Sequence, residues 1–402
     1  MKTTEEMLRK NLKRIVAESV FTSIGAGFSC ATMTVFWNSI GMDQTAIGFV
    51  QMIYTLVVLF LDIPMGYFAD KINRKICNII GDFGIGIAFI VYAMSQNMYM
   101  AIIAECMIGV FTAMTNGVDN ALLKSTADAI DPSHKLLEQT NARMHTMRYV
   151  MLLIVMVIGG FIAKFSLRLN IALSFIPYCI GALIAFKIDD YGEKADKKKI
   201  IKSILKSKKT RTYMMCYILG KEITHPYVWL FTPLLMQVGV PFEIVSLGWV
   251  LKQVMVIIGG KVSETKMLKY SVSKRFAIPM IVQLLWIIIL GIRINIITVW
   301  LFALNGFVQG LVGGSLVAPL QISTNKKTQT SVMSMASTGA RLIYIPMVYL
   351  SNYLGNIKLQ LGLVGVAIIY LPICIAAYIL LRKIEKGELQ ENGNIEEYEQ
   401  IS

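Results

Sequence analysis

The stretch Gly66-Tyr-Phe-Ala-Asp-Lys-Ile-Asn-Arg-Lys75 lies between two long apolar runs and decides how this chain folds. Its charged side chains are those of Asp70, Lys71, Arg74 and Lys75. So many charges in so short a segment cannot lie in the hydrocarbon of a bilayer, where each would lose its hydration. We therefore expect a short, water-facing turn that joins two membrane-spanning helices.

Apolar runs of membrane-spanning length recur along the whole chain. Hydrophobic residues make up 55% of it, charged residues make up 16%, and the mean hydropathy is +0.60. These values exclude an ordinary soluble globule, and about twelve runs reach roughly twenty residues each. Their approximate bounds are 15–37, 46–68, 76–95, 98–121, 141–164, 170–187, 212–236, 243–261, 276–292, 295–319, 331–352 and 359–381. The sequence thus predicts an all-α polytopic membrane protein with twelve transmembrane helices.

Positive residues collect in alternate loops between the predicted spans. The loops on the side of the N-terminus hold about 31 Lys and Arg residues, far more than the opposite side, which predicts cytoplasmic N- and C-termini. We expect the chain to lie in the plasma membrane, with the lipid bilayer as its surroundings. The formal net charge of +14 is spread over many segments, so nucleic acid is not an expected partner.

A long polar segment divides the predicted spans six from six, and the two halves share short repeats. Thr140-Asn-Ala-Arg-Met144 aligns with Thr338-Gly-Ala-Arg-Leu342, and Ala121–Thr126 aligns with Pro319–Thr324 at the same spacing. A duplicated six-helix unit explains this register. The predicted divisions are a cytoplasmic N-terminus at 1–14, a six-helix bundle at 15–187, a cytoplasmic linker at 188–211, a second six-helix bundle at 212–381 and an acidic cytoplasmic tail at 382–402.

The charged turn, with Asp62-Ile-Pro-Met-Gly66 before it, resembles the loop between helices 2 and 3 of the major facilitator superfamily, roughly G-x-x-x-D-[RK]-x-G-[RK]-[RK]. Asn73 stands where that pattern has glycine, and we expect it to take the left-handed backbone that Asn tolerates next best. The resemblance implies a secondary active transporter with two six-helix bundles related by a parallel pseudo-two-fold repeat. Its binding site would lie between the bundles near the bilayer midplane and open alternately to each side.

Charged residues at the predicted cytoplasmic edge are candidates for a gate. Asp70 could accept hydrogen bonds from the N-terminus of helix 11. Asp119 is placed to pair with Arg74 or Lys75, and in the family the equivalent acid belongs to a charge relay that holds the interior side shut. A static structural network is the alternative. The candidate gating set is Asp62, Gly66, Asp70, Lys71, Arg74, Lys75, Asp119, Arg143 and Arg341.

Glu105 is the deepest acid in the fourth predicted span, roughly 10 Å from its exterior end at 1.5 Å per residue. The helix-4 pattern of proton-coupled drug antiporters, R-x-x-Q-G, aligns with Glu105-Cys-Met-Ile-Gly109, and only Gly159-Gly160 survives from their helix-5 pattern. An acid among apolar neighbours loses the hydration of its charged form and is a candidate for proton exchange. The alternatives are binding of a cationic substrate or structural pairing with Arg148 or Lys252.

The densest polar cluster within a span is Gly220-Lys-Glu-Ile-Thr-His-Pro226 in the seventh run. Lys221 and His225 lie one turn apart on one face, and Pro226 weakens the helix beside them. Helix 7 lines the cavity in the superfamily, whereas a helix that starts near Ile223 would leave Lys221 at the interface. The candidate coupling and cavity set is Glu105, Arg148, Lys221, Glu222, His225 and Lys252. Their mixed charges favour a zwitterionic, peptide-like or amphipathic substrate over a sugar.

The remaining motifs predict packing. Gly306, Gly310 and Gly314 put bare backbone on one helix face and predict close approach of a neighbouring helix. Cys30, Cys77, Cys106, Cys179, Cys216 and Cys374 are scattered singly, so we expect packing residues without disulfides.

The expected function is proton-coupled efflux of a small or amphipathic organic solute by a functional monomer without a cofactor, and proton-coupled uptake is the alternative. The sequence contains no zinc, P-loop or nucleotide signature. A polytopic enzyme is disfavoured because no metal cluster, diphosphate-binding Asp motif or nucleophile constellation is apparent. A channel is disfavoured because a duplicated bundle with mixed deep charges suits alternating access better.

Overall fold

The computed structural model describes residues 4–71, 73–133, 135–191, 207–323 and 329–387, and every regular element within these ranges is a helix. The α-helices are α1 (Thr4–Cys30), α2 (Met33–Ser39), α3 (Gln44–Lys71), α4 (Arg74–Met94), α5 (Met98–Thr115), α6 (Val118–Ile130), α7 (Lys135–Phe165), α8 (Leu167–Leu173), α9 (Phe175–Ala185), α10 (Lys208–Glu222), α11 (Phe231–Gln237), α12 (Phe242–Thr265), α13 (Val272–Ile292), α14 (Ala303–Ser315), α15 (Val317–Ile322), α16 (Gln329–Ile357) and α17 (Leu359–Glu385). Short 3-10 helices lie at Val228–Leu230, Met267–Lys269 and Thr298–Phe302.

Each predicted run coincides with one helix or with short helices in close succession. Among the described residues, 8 helical stretches are long and apolar enough to cross a membrane, and α1 with α2 adds one more span bent by 46°. Large apolar side chains cover the outside of the helices, including Phe60, Phe165, Leu183, Ile292 and Ile368. Such a surface is stable against hydrocarbon and unstable in water.

The charged turn is as short as the sequence predicts, because α3 ends at Lys71 and α4 begins at Arg74. The expectation of a left-handed backbone at Asn73 was wrong. Asn73 is extended, with φ −174° and ψ 124°, and its side-chain oxygen accepts a hydrogen bond from the Lys75 backbone N–H at 2.8 Å. It is therefore the N-cap of α4, a position that favours Asn for its acceptor.

The bend between α1 and α2 is held by a side chain from α8. Asn170 donates hydrogen bonds to the Phe28 carbonyl at 2.7 Å and to Thr32 Oγ1 at 2.8 Å. These bonds satisfy a backbone carbonyl near the break, where the helical ladder is interrupted. One apolar run thus becomes two helices without leaving that carbonyl unpaired.

The chain divides into two compact units. The first takes the described residues up to 191 together with 235–250, and the second takes 207–234 and 251–387. The sequence prediction places residues 235–250 in the second bundle, whereas the structure places them in the first compact unit. Ile15, Cys77, Leu122, Met144 and Ala185 belong to the core of the first unit, and Ile218, Leu320, Val332, Ala336 and Ala340 form a core of the second.

The close approach predicted at the spaced glycines is confirmed within the second unit. A Cβ atom on Gly306 would overlap the Lys252 carbonyl oxygen, and one on Gly310 would overlap the Val256 carbonyl oxygen. The backbones of α12 and α14 therefore meet at positions where only glycine fits. The six cysteines all lie in the described ranges, and none of them forms a disulfide there.

Candidate functional site

The polar side chains around the charged turn make the following contacts in the structure. Arg74 Nη1 lies 3.5 Å from Asp190 Oδ1. Asp62 Oδ1 accepts a hydrogen bond from Asn116 Nδ2 at 2.8 Å. Asp119 was expected opposite Arg74 or Lys75, but its Oδ1 accepts a hydrogen bond from Asn78 Nδ2 at 2.7 Å.

The other candidate gating residues are placed as follows. Gly66 lies in α3 with open space at its Cβ position in the described part of the chain. Arg143 is exposed on α7, and Arg341 is half-buried on α16. The side chains of Asp70 and Lys71 lie outside the described residues, so their gating role stays a prediction.

A group of three carboxyls lies inside the first unit, and we name Glu18, Asp82 and Asp119 the carboxyl cluster. Glu18 on α1 is 1% exposed and Asp82 on α4 is 2% exposed. The Glu18 carboxyl lies beside the carboxyls of Asp82 and Asp119 and interacts with both of them electrostatically. Sequence reasoning missed Glu18 and Asp82, although each is an acid inside an apolar run, which is the signal that would have found them.

Arg148 carries a positive charge beside this cluster. Its Nε donates a hydrogen bond to Ser23 Oγ on α1 at 2.9 Å, and its charge acts on Asp119. Arg148 was one structural partner considered for Glu105, and the structure instead places it next to the carboxyl cluster.

Glu105 is buried between α3, α4 and α5, with neutral donors on both carboxyl oxygens. Its Oε1 accepts a hydrogen bond from Gln51 Nε2 at 2.6 Å, and its Oε2 accepts one from the Tyr92 hydroxyl at 2.5 Å. The Tyr92 ring packs edge-on against Phe36, with centroids 6.3 Å apart. A hydroxyl can donate to a carboxylate or accept from a protonated acid, so this pocket accommodates both forms of Glu105.

The seventh span is broken in the middle of its polar cluster. Helix α10 ends at Glu222, and the next helical turn begins at Val228. Because α10 begins at Lys208, the alternative in which the helix starts near Ile223 is wrong. Gln283 Nε2 donates to the Ile223 carbonyl and Asn305 Nδ2 donates to the Thr224 carbonyl, each at 3.0 Å. Side-chain amides from α13 and α14 therefore satisfy carbonyls that the break removes from the helical ladder.

His225 lies at this break between an acid and an amide. Its Nδ1 is 3.1 Å from Glu222 Oε1, and its Nε2 is 3.4 Å from Gln309 Nε2. A neutral imidazole with its proton on Nδ1 fits both contacts, since it donates to the carboxylate and accepts from the amide. The sequence placed Lys221 and His225 on one helix face, but the helix ends at Glu222, and it is Glu222 that contacts His225.

Aromatic groups complete the surroundings of His225. The Tyr344 ring stands edge-on to the imidazole, with centroids 6.2 Å apart, and the Tyr344 hydroxyl accepts a hydrogen bond from Trp229 Nε1 at 3.1 Å. His225 keeps 27% of its side-chain surface exposed. We name Glu222, His225, Trp229, Gln309 and Tyr344 the break site.

Two further candidate residues lie in the second unit. Lys221 occupies the last turn of α10 and is half-buried, while Lys252 is buried on α12. Sequence reasoning missed Trp229, Gln309 and Tyr344. Each carries a polar group within an apolar run, and this feature could have identified them.

A family model described as the Major Facilitator Superfamily matches residues 19–347. The chain belongs to the major facilitator superfamily. An uncharacterised MFS-type transporter of Methanocaldococcus jannaschii is 23% identical over 120 residues, an alignment that covers 30% of this chain and 31% of that relative.

Solved structures of MFS transporters share the fold. A bacterial homolog of the human lysosomal transporter Spinster has a TM-score of 0.75 at 11% identity, and 96% of this chain and 99% of that chain are covered. The nucleoside transporter NupG has a TM-score of 0.73 at 11% identity, with 94% and 99% covered. A D-xylose-proton symporter has a TM-score of 0.71 at 11% identity, with 92% and 96% covered.

These matches establish the fold class that the sequence predicted. The chain is an all-α polytopic membrane transporter of the superfamily, with twelve helical spans arranged as two six-helix bundles.

Proposed function

We propose that this MFS protein moves a small or amphipathic organic solute across the plasma membrane by alternating access, in exchange for protons. Both termini would face the cytoplasm, as the Lys and Arg distribution favours. The observation that carries the proposal is the break site, where ionisable and aromatic groups converge at an interrupted membrane helix. Interrupted helices in transporters characteristically form substrate sites, because their freed polar groups need partners.

The chemistry of the break site suits a solute with both polar and apolar parts. Glu222 can accept from a donor group of the solute, His225 and Gln309 can donate or accept, and the rings of Trp229 and Tyr344 offer apolar faces. Glu222 Oε2 is buried without a hydrogen-bond partner among the described residues, which leaves an acceptor available to a ligand. Zwitterionic, peptide-like and amphipathic molecules present the matching groups.

Coupling requires an acid that is stable with and without its proton. We assign this role first to Glu105, because the Tyr92 hydroxyl can reverse its hydrogen bond when Glu105 gains a proton. Glu222 is the second candidate, since His225 lies within hydrogen-bonding distance. Asp62, Asp70 and Asp119 remain the proposed centre of the gate.

Proton-coupled uptake is the second candidate function. One of the proteins that share the fold is a D-xylose-proton symporter. The same acids could serve either direction, so the direction must be measured.

The test begins with a thermal-shift screen of the purified protein, because a ligand that binds the folded state raises its apparent stability. A hit is then assayed for counterflow in proteoliposomes with and without a pH gradient. We expect counterflow that Glu222→Gln reduces at least tenfold and that Glu264→Gln, a change at an exposed acid of α12, leaves unchanged. Solute flux that equilibrates without counterflow would indicate a channel, and chemical conversion of the hit would indicate an enzyme. Opposite responses to an imposed gradient separate efflux from uptake.

A further inference from the structure

We propose that the carboxyl cluster of Glu18, Asp82 and Asp119 is a proton-binding site, distinct from Glu105, in which a proton is shared between contacting carboxyl groups. Its use in transport rests on the proposed function, whereas its occupancy by a proton can be measured without any solute. The ligand is a proton that exchanges with water, and Glu18 is the group that links the other two acids.

The carboxyl cluster contains more hydrogen-bond acceptors than donors. Ionised carboxylates only accept hydrogen bonds, and Glu18 contacts two other carboxyls. The hydrogen bond from Asn78 satisfies one oxygen of Asp119. Glu18 Oε2 and Asp82 Oδ2 are buried and have no hydrogen-bond partner within the described ranges. A proton between two carboxyls converts one acceptor into a donor and removes the repulsion of like charges.

The buried side chain of Asn78 provides a further unsatisfied acceptor at the cluster. It is 0% exposed, and its amide group is fixed at the cluster by the 2.7 Å bond to Asp119. Its own Oδ1 has no hydrogen-bond partner in the described part of the chain. A fully buried acceptor at a group of further acceptors indicates that the missing component is a hydrogen-bond donor, and a protonated carboxyl supplies one.

The surrounding charges leave the cluster short of positive charge. Arg148 of α7 acts on Asp119, and Tyr178 of α9 faces Asp82. Tyr54 of α3 interacts with Tyr178, and His145 of α7 interacts with Arg148. The tyrosines are neutral as phenols, and Arg148 acts on Asp119, which is one of the three acids. One guanidinium cannot neutralise three carboxylates in a site of low dielectric constant, and proton binding supplies the remaining compensation.

The geometry favours a proton over a metal ion. Within the described residues, no group of three or more His, Cys, Asp or Glu side chains is arranged to hold a metal ion. Glu18 contacts each of the other acids, but the three do not form a common coordination shell. A proton needs only two neighbouring acceptor oxygen atoms, and adjacent carboxyl groups can supply them.

Infrared spectroscopy of the purified protein in lipid nanodiscs tests the proposal directly, because a protonated carboxyl has its own C=O absorption. Spectra are recorded between about pH 6 and 9, where isolated Asp and Glu side chains are ionised. We expect a protonated-carboxyl band in the wild type that decreases as the pH rises. Glu18→Gln should remove or shift that component, while Glu264→Gln should leave it unchanged.

Two further measurements keep the test decisive. Asp119→Asn serves as a second variant should Glu18→Gln fail to give a monodisperse protein, and it should shift the same component. Replacement of sodium by choline should change nothing, and a sodium-dependent spectrum would overturn the proposal in favour of a metal-cation site. Spectra of properly folded Glu18→Gln and Asp119→Asn that match the wild type would also overturn it. Because no solute is present, these results are independent of whether counterflow is observed.

Discussion

The buried polar side chains of the two units differ in kind. In the first unit they include Glu18, Asp82 and Glu105, which are acids in contact with other acids or with neutral donors. In the second unit Glu222 is combined with an imidazole, amides and aromatic hydroxyls at a helix break. Acids are suited to holding protons, whereas a mixed aromatic site is suited to holding an organic solute. On the proposals above, this difference corresponds to a division of labour in which protons would bind mainly in the first unit and solute would bind in the second.

The largest effect is expected for Glu105→Ala. The change would leave Gln51 Nε2 and the Tyr92 hydroxyl buried without an acceptor, at a cost of about 1–3 kcal/mol each. Glu105→Gln keeps an acceptor and should cost about 1 kcal/mol. Thermal unfolding followed by size-exclusion chromatography measures the difference.

Ile103→Ala is the matched control for that series, because Ile103 is an exposed apolar residue on the same helix. It should have little effect in detergent. Equal stability of the Ala and Gln variants at Glu105 would mean that the two donors find other partners and that Glu105 is not an organised acid site.

The next largest effect is expected at the break site. Glu222→Gln removes a charged acceptor, and hydrogen bonds to charged groups contribute about 1.5–3 kcal/mol, which corresponds to a dissociation constant roughly 10- to 100-fold weaker. Ligand titration of the variant against the wild type measures this difference. Unchanged affinity would remove solute binding from the second unit.

The carboxyl cluster predicts how stability depends on pH. At neutral pH the unfolded chain has ionised carboxyls, whereas the folded cluster would keep the proton proposed above. The folded state then binds more protons than the unfolded state, so stability decreases as the pH rises. The slope is about 1.4 kcal/mol per pH unit for one proton.

This slope should persist from above about pH 4 until the cluster loses its proton, and Glu18→Gln should flatten it. Unfolding temperatures measured across that range in a single detergent provide the test. A slope that is equal in the wild type and in Glu18→Gln would assign the pH dependence to other groups.

The smallest effect is expected for Trp229→Phe. This change removes the hydrogen bond from Nε1 to the Tyr344 hydroxyl and keeps an aromatic ring, so ligand affinity should weaken by about 0.5–1.5 kcal/mol. Tyr344→Phe removes the same bond from the other side. A double-mutant cycle should give a loss smaller than the sum of the single losses. Additive losses would show that the bond does not organise the site.

Local features of the fold were predictable from sequence because each depends on neighbours along the chain. The charged turn, the apolar runs and the glycine face on α14 are of this kind. The N-cap at Asn73 was missed because its side-chain acceptor, not its tolerance of left-handed backbone, decides its conformation. That distinction depends on where α4 begins, which hydropathy does not fix to a single residue.

The candidate sites were only partly predictable. Glu222 and His225 are three residues apart, so their contact is local along the chain. The contacts of Glu18 with Asp82, and of His225 with Tyr344, join residues distant in the chain. They depend on how each helix is rotated about its axis, and an apolar run flanked by lipid carries little information about that rotation.

The most direct test of the division of labour is the number of protons exchanged when a solute binds. Calorimetric titration of one ligand from the screen in buffers of different ionisation enthalpy gives this number and the affinity together. We expect a nonzero number of exchanged protons for the wild type and a reduced number for the double variant Glu18→Gln and Glu105→Gln. The affinity of that variant for the ligand should change little at its pH optimum. Binding without proton exchange in the wild type, or an unchanged number in the double variant, would contradict it.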